Sequence, residues 1–145
     1  MKQFYILMIT LLMGLSANAE ETGTCGPNLK WKLTDDGVLT ITGTGQMEDY
    51  NDTYKENPWY DKNVKQVIIA DGVTTIGKDA FKECTKLTSI NIPNSFTAIG
   101  YMAFYRCEAL KSINIPNGVT IIGYQTFYNC NRLTSINIPN SVTTI

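Results

Sequence analysis

Histidine does not occur anywhere in the 145 residues. Its absence removes the usual general base near neutral pH and the commonest metal ligand, so Ser-His-Asp triads and zinc-protease motifs are excluded. Charge of one sign is lacking too. Twelve basic side chains face 13 acidic ones for a net charge of −1, with no basic block to hold a phosphate backbone or an anionic membrane, so nucleic acid is not an expected partner. Gly43-Thr44-Gly45-Gln46-Met47-Glu48 begins like a dinucleotide loop but lacks the third glycine and a strand-to-helix setting, and reads as a hairpin exit. The acidic stretch Glu48-Asp49-Tyr50-Asn51-Asp52 has Tyr54 where an EF-hand loop needs glycine, which leaves a solvated loop. Paired or clustered catalytic types are missing, so the chain reads as no enzyme and calls for no metal or cofactor.

Nor is there an apolar run long enough to cross a bilayer. The one run, Phe4 to Leu15, follows Lys2 and precedes Ser16-Ala17-Asn18-Ala19, which is the pattern of a secretory signal peptide cleaved after Ala19. Residues 1–19 are set aside on that ground. The mature chain is expected to be secreted or held at the cell surface, with no membrane insertion after cleavage. Thr22-Gly23-Thr24 before Cys25 is no lipobox, so lipid attachment there is not expected.

Four cysteines in an exported chain ordinarily suggest two disulfides. Three of them, however, fall at Cys84, Cys107 and Cys130, at a fixed interval of 23 residues. The whole sequence around them repeats: TTIGKDAFKECTKLTSINIPNS recurs as TAIGYMAFYRCEALKSINIPNG and TIIGYQTFYNCNRLTSINIPNS. Such a period marks a solenoid whose coils stack along one axis. Equivalent atoms of stacked coils lie about 4.8 Å apart with parallel side-chain vectors, whereas a disulfide needs converging Cβ vectors. The three cysteines therefore read as small buried apolar residues.

Eight columns of the repeat are apolar or nearly so: Val73/Phe96/Val119/Val142, Ile76/Ile99/Ile122/Ile145, Ala80/Ala103/Thr126, Phe81/Phe104/Phe127, the cysteines, Leu87/Leu110/Leu133, Ile90/Ile113/Ile136 and Ile92/Ile115/Ile138. One coil cannot bury so many side chains against itself and must use the flat faces of its neighbours. Leu-x-x-Ile-x-Ile ends each repeat as a short strand, and stacked strands give a parallel sheet. Pro-Asn-Ser/Gly turns the chain, and Gly77, Gly100 and Gly123 allow positive φ or close backbone approach. The x-x-Ala-Phe-x-x-Cys-x-x-Leu segment, with apolar spacings of three and four, is expected to form a helical or 3₁₀ turn, so the fold class is an α+β repeat solenoid.

Upstream, residues 25–45 alternate around Asp35-Asp36-Gly37 as a β-hairpin, and residues 20–63 are read as an N-terminal β cap that covers the first coil's apolar face and strand edge. Residues 64–145 are the array. It stops at Ile145 halfway through a fourth coil, which reads as truncation; were that the true end, the uncapped coil is expected to self-associate.

The columns Ile-x-Ile-Pro-x-x-Val-x-x-Ile-Gly-x-x-Ala-Phe-x-x-Cys-x-x-Leu, carried from Ile90 to Leu110 and from Ile113 to Leu133, resemble the BspA-like, Treponema-type leucine-rich repeat, with Phe96 and Thr126 as departures. That resemblance implies a leucine-rich-repeat-like solenoid, exported or surface-displayed, that binds protein or glycan ligands on host or microbial surfaces and takes part in adhesion. It implies no reaction. The alternative is a structural spacer that presents another domain away from the cell surface.

Two surfaces are available for a partner. Strand positions that alternate with the core form polar rows, Ser89/Ser112/Ser135 and Asn91/Asn114/Asn137. Lys78/Tyr101/Tyr124 and Lys82/Tyr105/Tyr128 line up on the turn side, and tyrosine offers large contact area at low entropy cost. Tyr101, Tyr105, Tyr124 and Tyr128, with Asn91, Asn114 and Asn137, are the candidate ligand-binding residues.

Overall fold

The computed structural model describes residues 19–51 and 53–145; residues 1–18, on which the signal-peptide reading rests, lie outside the described residues. Within the described residues there are eleven strands and no helix. β1 (Glu20–Gly26), β2 (Leu29–Thr34) and β3 (Val38–Gly43) form an antiparallel meander. Its second half is the expected hairpin: Leu29, Trp31 and Leu33 are buried while Lys30 and Lys32 are exposed, and Gly37 closes the turn at φ 88°. β1 was not foreseen, because Glu20 to Thr24 has no apolar residue to alternate.

From β3 onward the strand pairings are parallel. One wall runs from β3 to β5 (Gln66–Ile69) and β7 (Ser89–Asn91), with Val67 opposite Ile90 and Ile68 opposite Asn91. The N–H of Lys111 donates to the Thr88 carbonyl and leads into β9 (Ser112–Asn114), which pairs with β11 (Ser135–Asn137). A second wall contains β4 (Gly45–Gln46), β6 (Val73–Ile76), β8 (Ala98–Ile99) and β10 (Ile121–Ile122). The core lies between the walls. Val73, Phe96 and Val119 are fully buried, as are Phe81 and Phe104, Leu87 and Leu110. The phenylalanine rings stack in register, Phe81 on Phe104 at 5.5 Å and 9° and Phe104 on Phe127 at 5.8 Å and 2°. Of the two departures, Phe96 simply fills its column, and the Thr126 hydroxyl donates to the Gly100 and Gly123 carbonyls, which removes the penalty of burying it.

The third side of each coil corrects the sequence reading. No helical turn forms there, so the α+β description gives way to an all-β leucine-rich-repeat fold whose third side is a stack of tight turns. The reason lies in the backbone donors. Ala80, Lys82 and Cys84 donate three residues back to Gly77, Asp79 and Phe81, while Asp79, Phe81 and Glu83 donate across to Tyr101, Ala103 and Tyr105 of the next coil. A helix would direct every N–H along its own chain and leave none for the neighbour. The alternation is made possible by left-handed residues four apart, Asp79 and Glu83 at φ 55° and 58°, then Met102 and Arg106, then Gln125 and Asn129.

Gly77, Gly100 and Gly123 are required for close approach and have no positive φ. A Cβ on Gly77 would lie 1.8 Å from the Glu48 carbonyl oxygen, and one on Gly123 would lie 2.3 Å from the Tyr101 nitrogen. The cysteines are all free thiols. Cys107 and Cys130 donate S–H to the Phe81 and Phe104 carbonyls of the preceding coil, each at 3.1 Å. Burial pushes Cys84 up to about 12, and burial together with the nearby Glu48 charge does the same to Cys25.

The segment before the array is built as a coil in its own right. β3 lies in the strand wall, Gly43-Thr44-Gly45 makes the turn, β4 lies in the second wall, and Trp59 occupies the phenylalanine column, stacked on Phe81 at 5.4 Å. Its indole N–H donates to the Ala80 carbonyl at 2.8 Å, which is the bond that the main-chain N–H of Phe81 makes to Ala103 one coil later. Tyr50 N–H likewise meets the Lys78 carbonyl, and Asn57 Nδ2 approaches Asp79 O at 3.4 Å. Trp31 and Tyr50 close over Trp59 edge-on at 6.0 and 6.1 Å.

Candidate interaction surface

The turn wall sets the tyrosines. Each one's carbonyl is an acceptor in the inter-coil ladder: Tyr101 from Asp79, Tyr124 from Met102, Tyr105 from Glu83, Tyr128 from Arg106. With the backbone pinned on the coil spacing, the side chains must stack. Tyr101 and Tyr124 lie 5.8 Å apart at 21°, and Tyr105 and Tyr128 lie 5.1 Å apart at 9°. At the cap end each row finishes in a cation, Lys78 Nζ 5.6 Å from the Tyr101 centroid and Lys82 Nζ 5.8 Å from that of Tyr105. The rings remain open to solvent; Tyr124 is 66 % and Tyr128 48 % exposed. All four tyrosines thus fall in two adjacent columns on one side.

The asparagines lie on a different side, the outer face of the strand wall, and they are partly occupied. Asn91 uses its whole amide on the preceding coil, accepting from Ile69 N–H at 2.8 Å and donating to Ile69 O at 3.2 Å. Asn137 Nδ2 approaches Asn114 Oδ1 at 3.5 Å. The serine and asparagine rows are exposed as the alternation required. Similar latches run beside them: Ser95 and Ser141 hydroxyls donate to Val73 and Val119 carbonyls, and Thr97, Thr120 and Thr143 donate to the carbonyls of Thr74, Thr97 and Thr120. Sequence reasoning missed this inward use of polar side chains. Its signal was the recurrence of Ser, Thr and Asn at fixed columns, which fits a structural bond as well as a ligand.

Parallel strands, a repeating apolar interior, inter-coil ladders and outward aromatic columns define a leucine-rich-repeat solenoid. The chain belongs to the BspA type leucine rich repeat family, whose pattern matches residues 53–145. Among solved structures it is similar to a leucine-rich repeat protein from Eubacterium ventriosum, with 34% identity and a TM-score of 0.68 over 88% of this chain and 40% of that one. It also resembles the leucine-rich repeat protein of T. pallidum at 27% identity and TM-score 0.60, over 85% of this chain and 64% of that one. A third, from Bacteroides ovatus, is 25% identical with TM-score 0.60 over 74% of this chain and 32% of that one. The chain thus spans less than two thirds of the length of each of these relatives. No curated protein matches it.

Proposed function

We propose that the protein is a secreted or surface-displayed adhesion module that binds a protein or glycan on host or microbial surfaces through the solenoid exterior. The observation that carries this reading is the pair of solvent-open Lys–Tyr–Tyr columns, Lys78/Tyr101/Tyr124 and Lys82/Tyr105/Tyr128, because stacked tyrosines are already ordered before a partner arrives. Family membership supports an interaction module, and the leader-like residues 1–19 support export. Tyr101, Tyr105, Tyr124 and Tyr128 form the contact set, and Asn91, Asn114 and Asn137 make a second, separate polar row on the strand face, in which the Asn91 amide is already bonded to Ile69.

The test is adhesion of beads coated with the purified protein to epithelial and extracellular-matrix surfaces. Alanine at all four tyrosines is expected to abolish adhesion while leaving the thermal unfolding midpoint within a few degrees, since these rings lie outside the core. Adhesion unchanged by the four substitutions overturns the contact set. Beads that never adhere favour the spacer reading.

A further inference from the structure

The sequence has no run of basic residues, yet the fold assembles one. Lys65, Thr88, Lys111 and Thr134 occupy one column, joined by bonds from Thr88 N to Lys65 O, from Lys111 N to Thr88 O and from Thr134 N to Lys111 O. Lys86, Ala109 and Arg132 occupy the next. Basic residues therefore recur every second coil in both columns, an interval of two periods that no local window of sequence displays. A shallow groove of about 510 Å³ runs between the turn wall and the strand wall, lined by Lys65, Lys86 and Arg132 together with Thr85, Thr88 and Glu108.

The three lining cations are exposed, as is Lys111, which sits beside the groove in the column of Lys65 and Thr88, and none of the four has an ion-pair partner among the described residues. The one carboxylate in the groove, Glu108, has the Arg106 guanidinium 3.7 Å away. A chain of net charge −1 thus holds a local concentration of unneutralised positive charge on one flank. Cations on alternate coils lie about 10 Å apart, twice the 4.8 Å strand spacing.

The geometry points to this groove as a binding site for an acidic polysaccharide, one bearing carboxylates or sulfates at intervals along its length. Regularly spaced lysines act as point charges on flexible stems and suit an open, extended polyanion. The threonine hydroxyls supply hydrogen-bonding groups for sugar hydroxyls. No aromatic ring lines the groove to stack a nucleobase, and Ala109 is its one apolar lining side chain, too small to anchor an acidic peptide. The site is separate from the tyrosine columns.

Its test is equilibrium binding of the purified protein to heparin oligosaccharides and to a sulfate-free polyuronate. With the counterion-release slope of a flexible single-stranded polyanion and four charges engaged, heparin affinity is expected to fall about 50-fold between 50 and 200 mM salt. The combined Lys65→Gln, Lys86→Gln, Lys111→Gln and Arg132→Gln variant is expected to lose about tenfold or more at the lower salt. Lys30→Gln with Lys32→Gln, on the cap, is expected to leave binding unchanged. Binding of both polysaccharides assigns carboxylate recognition, and binding of heparin alone assigns sulfate; either supports the site. It is overturned if neither polysaccharide binds, if the fourfold variant binds like the parent, if the cap variant loses as much, or if poly-glutamate or a single-stranded oligonucleotide of equal charge binds as tightly as heparin.

Discussion

Trp59 fulfils with one side chain two roles that later coils divide between a phenylalanine ring and a main-chain N–H. Its ring covers Phe81, and its indole N–H satisfies the Ala80 carbonyl. Trp59→Phe keeps most of the packing but leaves that carbonyl without its donor, a loss of about 1–3 kcal/mol; Trp59→Ala adds a cavity and costs about 3–5 kcal/mol. Urea unfolding of the two variants, compared at fixed slope, checks the order. The thiols give a second residue-scale prediction. Burial raises all four above the ordinary value of 9.0, Cys84 and Cys25 to about 12. A folded state that holds its thiol protons more tightly than the unfolded chain is fully stabilised below about pH 9 and loses that stability as pH climbs toward 12. Urea midpoints are therefore flat from pH 7 to 8 and fall above 9, and Cys84→Ala with Cys107→Ala flattens the decline.

At the scale of elements, the turn wall is where local propensity yields to stacking. The Ala-Phe-x-x-Cys-x-x-Leu spacing suits a helical turn, but the inter-coil ladder takes every second N–H, and the price is a pair of left-handed residues in each coil. Such residues cost about 1–2 kcal/mol each unless they are glycine, asparagine or aspartate. Asn129 already fits; Gln125, at φ 54°, does not. Gln125→Asn is expected to raise stability by about 0.5–1 kcal/mol, readable as a rise in thermal midpoint. Gly77→Ala acts in the opposite direction, because its methyl would drive the first coil off the Glu48 backbone. It should cost more than any exposed substitution and disturb the cap specifically, with Trp59 fluorescence shifting toward that of a solvated indole.

For the whole molecule, stability is a sum over coil interfaces, so position along the stack decides what a substitution costs. Phe104 is fully buried between Phe81 and Phe127, and Phe104→Ala is expected to cost about 3–5 kcal/mol. Denaturation curves of the parent and the variant decide it. The cap belongs to this scale as well: β3, β4 and Trp59 present the first coil with the same three sides that every later coil receives from its neighbour. The sequence hides this, because that coil is longer than 23 residues and carries tryptophan where the others carry phenylalanine.

Period, the core columns as far as Ile122, parallel strands and the free state of Cys84, Cys107 and Cys130 were all legible in the sequence, since each follows from residues recurring at one interval; Ile136, Ile138 and Ile145, assigned to the same columns, are exposed. The stacking of Tyr101 on Tyr124 and of Tyr105 on Tyr128 was legible for the same reason. What the tertiary structure alone decided concerns where hydrogen bonds go. A residue's type does not say whether its N–H turns back on its own chain or crosses to the next coil, nor whether an asparagine such as Asn91 spends its amide on a neighbour or on solvent. The gathering of Lys65, Lys86, Lys111 and Arg132 likewise needed the coils to be wound, because electrostatic neighbours are set by distance through space and these residues are dispersed along the chain.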